Sequence, residues 1–291
     1  MSKAIVIHKI KKSLLFAVTY DKILLNKYLY CHRVVDALSI RLYIVRSLKI
    51  YFRMFIFLED VINKLKNYFS KTDITLWAAS VLMIITSFCI FDRESYLTLC
   101  ASLIGVTSLI FNAKGNPFGQ LLMVIFSLLY GIISYTFGYY GEMITYLGMT
   151  MPMAVFALIA WLKNPFNGNR AEVKVNSIST KENIFMCIST VWVTIIFYFI
   201  LKHFNTANIV PSTLSVTTSF IAVYLTFRRS PYFAVSYAAN DVILITLWIL
   251  ASFSDMRYIS VAVCFVAFLF NDIYGFISWK KMKARQAKAS G

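Results

Sequence analysis

Residues 233–253 read FAVSYAANDVILITLWILASF, and residues 258–279 read YISVAVCFVAFLFNDIYGFISW. Each stretch is apolar over a length that crosses a bilayer as a helix, and each carries an Asn-Asp pair in its interior. A carboxylate at that depth costs about 2.5–3.5 kcal/mol even on lenient insertion scales, so it is rare unless it faces a cavity, a pathway or a partner. The two pairs, Asn240-Asp241 and Asn271-Asp272, therefore predict a polar site inside the membrane.

The composition of the whole chain indicates the same class of protein. Of its 291 residues, 59% are hydrophobic and only 14% are charged, whereas soluble domains are roughly 45–50% apolar and about 25% charged. Apolar runs between charged breaks predict an all-α polytopic membrane protein with eight spans. The predicted spans are Ile74 to Phe91, Tyr96 to Phe111, Pro117 to Phe137, Met143 to Leu162, Ile184 to Leu201, Ile209 to Phe227, Phe233 to Phe253 and Tyr258 to Trp279. Pro152 lies inside the fourth run and is expected to kink it.

The basic residues of the loops and flanks predict the orientation. Fifteen lysines and arginines between residues 64 and 288 fall on one side of the predicted spans, against three on the other, Arg93, Lys202 and Arg257. Because short cytoplasmic loops are enriched in Lys and Arg, this bias predicts that both termini are cytoplasmic. The net charge of +16 is then a topology signal, and nucleic acid is not an expected partner.

The chain divides into three predicted segments. Residues 1–70 hold 13 of the 29 basic residues and no run long enough to span, so we expect a basic N-terminal extension that lies on the membrane surface or outside the core. Residues 71–283 form the predicted transmembrane domain, and residues 284–291 form a basic cytoplasmic tail. The scattered cysteines and histidines predict no metal site, and the sequence contains no phosphate-loop motif for ATP hydrolysis.

Helical depth groups the polar and aromatic residues into layers. At 1.5 Å per residue, Asp241 lies about 12 Å and Asp272 about 10 Å from the basic side, so the two aspartates share a level. Trp248 and Tyr130 lie about 20 Å or more from that side and predict an aromatic layer beyond the carboxylates. The alternative interpretation is that the Asn and Asp side chains only join helices and the rings only pack.

A weak internal repeat predicts a pathway between two halves. A shift of 118 residues aligns Tyr130 with Trp248, Trp161 with Trp279 and Lys163 with Lys281. Each half has three spans, and the fifth span between them makes the halves parallel, as in SWEET-type transporters. Substrate sites in such folds lie at the repeat interface near the middle of the membrane.

Several segments closely resemble the PnuC family of nicotinamide riboside transporters, over roughly residues 70 to 283. They are Ala113-Lys-Gly-Asn116, Phe126-Ser-Leu-Leu-Tyr-Gly-Ile-Ile-Ser-Tyr135, Tyr140-Gly-Glu-Met-Ile-Thr-Tyr-Leu-Gly-Met149, Trp161-Leu-Lys-Asn-Pro165 with Glu172-Val-Lys-Val-Asn176, and Asn271-Asp-Ile-Tyr-Gly275. The resemblance implies a SWEET-like core of two parallel three-helix bundles joined by a linker helix, with the first span as an extra N-terminal helix, and a homotrimer in the inner membrane. It also implies facilitated diffusion of nicotinamide riboside without a cofactor, followed by phosphorylation by a cytoplasmic kinase that feeds NAD synthesis.

The expected substrate-binding residues come from the family pattern and from the layers. They are Gln120, Tyr130, Asn240, Asp241, Trp248, Asn271, Asp272 and Tyr274. Nicotinamide riboside is a flat pyridinium cation with a carboxamide and a ribose, so an aromatic face can hold the ring and Asn or Asp can pair with the polar groups. Trp248 is the predicted stacking residue, and no catalytic or metal-binding residue is expected.

Two alternatives stay open at the level of sequence. A proton-coupled carrier of a related nucleoside or vitamin is one, because Asp241 or Asp272 could carry a proton. An intramembrane transferase enzyme is the other. It would need a magnesium-diphosphate cluster, and neither Asn-Asp pair has a second carboxylate within a helical turn.

Overall fold

A computed structural model describes residue 19 and residues 45–56, 59, 68–136, 139–206 and 208–290. The chain divides into two compact units, Met1–Ser70 and Lys71–Gly291. In the first unit, residues 45–56 are helical. Most of the basic N-terminal extension, and with it the predicted membrane-surface arm, lies outside the described residues.

The second unit contains eight helices that are long and apolar enough to cross a membrane, counted over the residues described. They are α1 (Lys71–Phe91), α2 (Tyr96–Ala113), α3 (Pro117–Thr136), α4 (Tyr140–Leu162), α5 (Thr180–His203), α6 (Ile209–Phe227), α7 (Phe233–Ser252) and α8 (Tyr258–Ser290). Each corresponds to one predicted span, so the prediction of eight spans is confirmed. α8 continues beyond the predicted end at Trp279, because the residues that follow are mostly Lys, Ala, Arg, Gln and Met, which favour helix.

A π-helical turn interrupts α4 just before Pro152. The helix is α-helical over Tyr140–Thr145 and Met151–Leu162, and Tyr146–Thr150 between them forms the π turn. Proline has no N–H for the carbonyl four residues earlier, so a wider turn beside it redirects the backbone hydrogen bonds. The π turn is the backbone irregularity observed beside Pro152, where a kink stays a prediction, and such turns are frequent at functional sites.

A short β-hairpin joins α4 to α5 and departs from the all-α prediction. β1 (Pro165–Phe166) pairs antiparallel with β2 (Asn169–Val173). Asn167 and Gly168 between them have φ of 48° and 78°, the left-handed conformation of a two-residue type I′ turn. Gln286 of α8 donates to a β2 carbonyl at 3.0 Å, which ties the hairpin to the extended end of α8.

The helices form two halves of three helices each, α2–α4 and α6–α8. In sequence, α5 lies between the halves and α1 precedes the first half. α2 packs against α8, and α4 packs against α6, so each half presents its first and last helix to the other. Two tryptophans related by the internal repeat cross this interface. Trp161 Nε1 donates to the Thr226 carbonyl at 2.9 Å, and Trp279 Nε1 donates to the Asn112 carbonyl at 2.7 Å. The reciprocal bonds support the predicted repeat.

The two tryptophan rings also contact each other at the end of the bundle where the loop lysines and arginines collect. We call this the basic end. Their centroids are 5.3 Å apart, and Phe233 packs against Trp279 at 4.9 Å. All three side chains are buried, so this cluster closes the interface between the halves at the basic end.

Candidate functional site

Asp241 of α7 and Asp272 of α8 form a pair of buried carboxyl groups. The two side chains lie within hydrogen-bonding reach of each other, as expected from their shared depth. Asp241 Oδ2 has no N–H or O–H donor among the described residues. Two carboxylates in contact repel strongly if both are ionised. The pair therefore needs a shared proton or a cation to offset the repulsion.

An aromatic cluster lies farther from the basic end and consists of Tyr130, Tyr139, Tyr146, Trp248 and Tyr258. The ring of Tyr130 in α3 lies 4.3 Å from that of Tyr146 in α4 and 6.2 Å from that of Trp248 in α7. Trp248 also contacts Tyr139 at 5.0 Å and Tyr258 at 5.5 Å. The cluster therefore draws its members from both halves and brings the predicted pair Tyr130 and Trp248 together.

The polar atoms of this cluster are incompletely satisfied. Trp248 Nε1 approaches the Tyr130 hydroxyl, but neither atom makes a hydrogen bond of good geometry within the described residues. Burial raises the pKa of the Tyr139 phenol, with a smaller contribution from Tyr258, so Tyr139 stays neutral. An aromatic enclosure with spare donors suits a flat ligand that carries hydrogen-bonding groups.

Another buried acid, Glu142 of α4, interacts electrostatically with members of the aromatic cluster and was not among the predicted site residues. Only 1% of its surface is exposed, and its Oε2 has no hydrogen-bond partner in the described part of the chain. Glu142 is close enough to the hydroxyls of Tyr130 and Tyr146 to interact with both electrostatically. One sequence signal could have found it, because Glu142 precedes Tyr146 by four residues and so shares its helix face.

Asn240 turns toward α6. Its Oδ1 accepts from the hydroxyls of Ser215 at 3.3 Å, Thr218 at 2.9 Å and Ser219 at 3.1 Å. These bonds join two helices of the same half, and they fix the carboxamide beside the Asp241–Asp272 pair. A substrate role for Asn240 stays a prediction.

Asn271 and Tyr274 of α8 turn toward α1. Asn271 Nδ2 donates to Ser80 Oγ at 2.9 Å, and the Tyr274 hydroxyl donates to Asp73 at 2.5 Å. The predicted stripe on α8 thus contacts the extra N-terminal helix. Asn271 Oδ1 is buried without a partner among the residues described, so one acceptor of this carboxamide stays available.

Gln120 lies at the start of α3 and bonds to α2. Its Nε2 donates to Asn112 Oδ1 at 2.8 Å, and the side chain is buried. Of the eight predicted residues, the structure therefore brings four together in two contact pairs and directs the other four to neighbouring helices. Each of the eight predicted residues except Tyr274 is at most 4% exposed. A ligand therefore reaches these seven side chains only after helices separate.

Comparison with known proteins assigns the family. Residues 95–281 match the family described as nicotinamide mononucleotide transporter. The chain belongs to this family. The match begins just before α2, so α1 precedes the matched residues, and it confirms that the protein is a membrane transporter and not an intramembrane transferase.

Two relatives and one solved structure agree with this family assignment. The chain is 27% identical over 216 residues to the nicotinamide riboside transporter PnuC of Neisseria mucosa, covering 73% of this chain and 82% of the relative. It is 22% identical over 193 residues to PnuC of Haemophilus influenzae, covering 66% and 82%. A crystal structure of the vitamin B3 transporter PnuC aligns with a TM-score of 0.66 at 24% identity, covering 75% of this chain and 94% of that one. This likeness shows the fold, and the SWEET-like arrangement predicted from sequence is confirmed.

Proposed function

We propose that this member of the family carries nicotinamide riboside across the inner membrane by facilitated diffusion with alternating access. The observation that carries the proposal is the aromatic cluster at the interface of the two halves, whose member Tyr146 interacts electrostatically with two buried carboxyl groups. A pyridinium ring gains from stacking and from cation–π attraction to Trp and Tyr. The carboxylates offset its positive charge, and the unsatisfied donors of Tyr130 and Trp248 can pair with the carboxamide or ribose.

Charge favours the riboside over the phosphorylated mononucleotide. Asp241, Asp272 and Glu142 are buried near the candidate pathway, and no Lys or Arg lies in the interior of a span to meet a phosphate. A phosphate monoester carries close to two negative charges at neutral pH. Its transfer past three acids would be strongly disfavoured unless all three held protons or cations.

We also propose that both termini are cytoplasmic, that the protein assembles as a homotrimer and that a cytoplasmic kinase is its functional partner. The excess of Lys and Arg at the basic end supports cytoplasmic termini. α5 exposes Phe185, Trp192 and Phe199, an apolar face that suits lipid or neighbouring subunits of the proposed homotrimer. Facilitated diffusion proceeds only until the substrate reaches electrochemical equilibrium, so uptake beyond that point needs a cytoplasmic reaction that phosphorylates the riboside and supplies NAD synthesis.

The test is uptake of labelled nicotinamide riboside into sealed proteoliposomes. We expect saturable uptake that stops at the outside concentration, with excess unlabelled riboside competing and the mononucleotide competing poorly. An enclosed riboside kinase with ATP should raise total label above that limit. Absence of uptake by folded, inserted protein would refute the proposal. Trp248→Ala should abolish uptake without changing the oligomeric state, whereas an equal loss of assembly would point to packing.

A second candidate is a proton-coupled carrier of the riboside or a related nucleoside or vitamin. The contact between Asp241 and Asp272 favours it, because a carboxyl pair that shares one proton can exchange that proton during transport. The same proteoliposomes with an imposed proton gradient separate the two candidates. Accumulation above the outside concentration only with the gradient, while the membrane potential is held at zero, would replace facilitated diffusion by coupling.

A further inference from the structure

Glu142 is a buried carboxyl group for which the described residues supply no cationic partner. It is the third residue of α4, its side chain is 1% exposed, and no ion pair joins it to a described Lys or Arg. An isolated buried carboxylate is costly, so such a group either holds a proton or receives a cation from outside the chain.

The surroundings of Glu142 include aromatic rings of the kind that bind cations. Tyr146 follows one turn later on the same face of α4, and its ring packs against Tyr130 at 4.3 Å. Tyr130 in turn lies 6.2 Å from Trp248, whose side chain is fully buried. Trp and Tyr faces are the preferred partners of organic cations. An acid that interacts electrostatically with Tyr130 and Tyr146 can therefore bind a flat, positively charged ring held by these aromatic residues more tightly than a neutral one.

The Tyr146 hydroxyl connects Glu142 to the carboxyl pair. It interacts electrostatically with both Glu142 and Asp241. Glu142 lies at the end of α4 that is remote from the basic end, whereas Asp241 lies about 12 Å from the basic end by helical rise. A cation that leaves Glu142 toward the basic end therefore meets a second acidic site before it crosses the membrane.

We propose that Glu142, together with Tyr130, Tyr146 and Trp248, forms the site that recognises the positive charge of the substrate ring and rejects its uncharged form. This inference rests on the proposed function and adds the residue that sets charge selectivity. The ligand class is an aromatic cation with a ribose and a carboxamide. The reduced dihydropyridine form of nicotinamide riboside is the matching neutral ligand, because it keeps the ribose and carboxamide and loses the charge.

The experiment measures binding of both forms to the purified full chain in nanodiscs, by calorimetry and by quenching of tryptophan fluorescence. Glu142→Gln removes the charge at nearly constant volume. We expect it to weaken binding of the oxidised, cationic form about tenfold or more and to change binding of the reduced form by less than about threefold. Glu94→Gln is the matched control, because that side chain is 86% exposed in the loop before α2 and should alter neither affinity.

The outcomes separate this inference from the proposed function. An equal loss for both ligands, or no loss for either, would overturn the role of Glu142 in charge recognition while leaving transport of the riboside intact. Failure of the wild-type chain to bind or transport the cationic form would overturn the proposed function itself. If Glu142→Gln does not fold, Glu142→Asp keeps the charge and should keep the preference for the cationic form. Loss of that preference in a folded Asp variant would equally refute the inference. A requirement for sodium would instead assign Glu142 to a metal cation.

Discussion

Tyr274 of α8 can have one of two main roles, either to contact substrate or to join α8 to α1. Its position in the sequence predicts a substrate contact, whereas its hydroxyl donates to Asp73 of α1 at 2.5 Å. Tyr274→Phe removes this hydroxyl and keeps the ring. If the bond mainly ties α1 to α8, the variant loses stability and retains its substrate affinity. If the hydroxyl mainly contacts substrate, the variant loses affinity and retains its stability.

The structure sets the size of the expected effect. Asp73 is 1% exposed and also accepts from Lys114 Nζ at 3.3 Å, so its carboxylate keeps a cationic partner when the phenol is removed. Hydrogen bonds between membrane helices average about 0.6 kcal/mol in double-mutant cycles and reach about 1.7 kcal/mol. A short bond to a buried carboxylate belongs near the upper value, so we expect a coupling of about 1.5 kcal/mol. The neutral bond from Asn271 to Ser80, at 2.9 Å, should show about 0.6 kcal/mol.

The assay is a double-mutant cycle of Tyr274→Phe and Asp73→Asn, with equilibrium unfolding followed in mixed detergent micelles. Asn271→Ala with Ser80→Ala forms the matched neutral cycle. The KM for riboside uptake is measured for each folded variant in proteoliposomes. We expect the charged cycle to give the larger coupling and Tyr274→Phe to keep KM within about threefold of the wild type.

One combination of results would refute this reasoning. A coupling below about 0.5 kcal/mol between Tyr274 and Asp73, together with a tenfold rise in KM for Tyr274→Phe, would mean that the phenol contacts substrate. The hydrogen bond to α1 would then describe only one conformation of the transport cycle.

Two further predictions concern the carboxyl pair and the small residues. Asp241→Asn should stabilise the folded protein by about 1 kcal/mol while reducing transport, because the amide can donate to Asp272 and removes a like-charge contact. Equilibrium unfolding and riboside uptake, measured on the same preparation, check this prediction. A clear loss of stability would contradict it. Gly119→Ala should cost about 1–3 kcal/mol, since a Cβ there would lie 2.7 Å from the backbone nitrogen of Asn112. Gly148→Ala is its control and should be neutral or stabilising by up to about 1 kcal/mol, because the nearest atom to its Cβ is 3.9 Å away. Equal losses in the two thermal unfolding experiments would contradict the packing argument.

Most of the fold follows from hydrophobic length. Every predicted span corresponds to a helix in the structure, because only helices satisfy their own backbone in lipid. The β-hairpin between α4 and α5 was not predicted, because hydrophobic length carries no information about the residues between two apolar runs. Asn167-Gly168 is the strongest short signal for a two-residue hairpin, so the turn chemistry was present in the sequence. The continuation of α8 beyond Trp279 also lacks the hydrophobic length of a span, because it depends on helix propensity and on contacts with the hairpin such as the bond from Gln286 to β2.

The candidate site was predictable where depth alone decides contact. Asp241 and Asp272 meet because equal depth on two adjacent helices leaves little freedom. The direction of Asn271 and Tyr274 depends on the rotation of α8 and on the position of α1, and neither quantity is encoded in the spacing. Glu142 was missed for a different reason. It lies at a span boundary, where an acidic residue is ordinarily solvated. Its position along the helix therefore does not indicate that it is buried.

Alternating access, as proposed for this chain, has to break different contacts at the two ends of the bundle. At the basic end, Trp161 and Trp279 each donate a buried hydrogen bond from one half to the other. Separation there leaves two N–H groups and two carbonyls unpaired, at roughly 1–3 kcal/mol for each buried group until water enters. At the opposite end, Tyr139 contacts Trp248 and Tyr258 of the other half through ring faces and edges, and the Trp248 indole makes no hydrogen bond among the described residues. An arriving aromatic ligand can replace those ring contacts as it displaces them. The end remote from the lysines therefore opens at the lower free-energy cost in the presence of substrate, and with cytoplasmic termini this is the direction that uptake from outside requires.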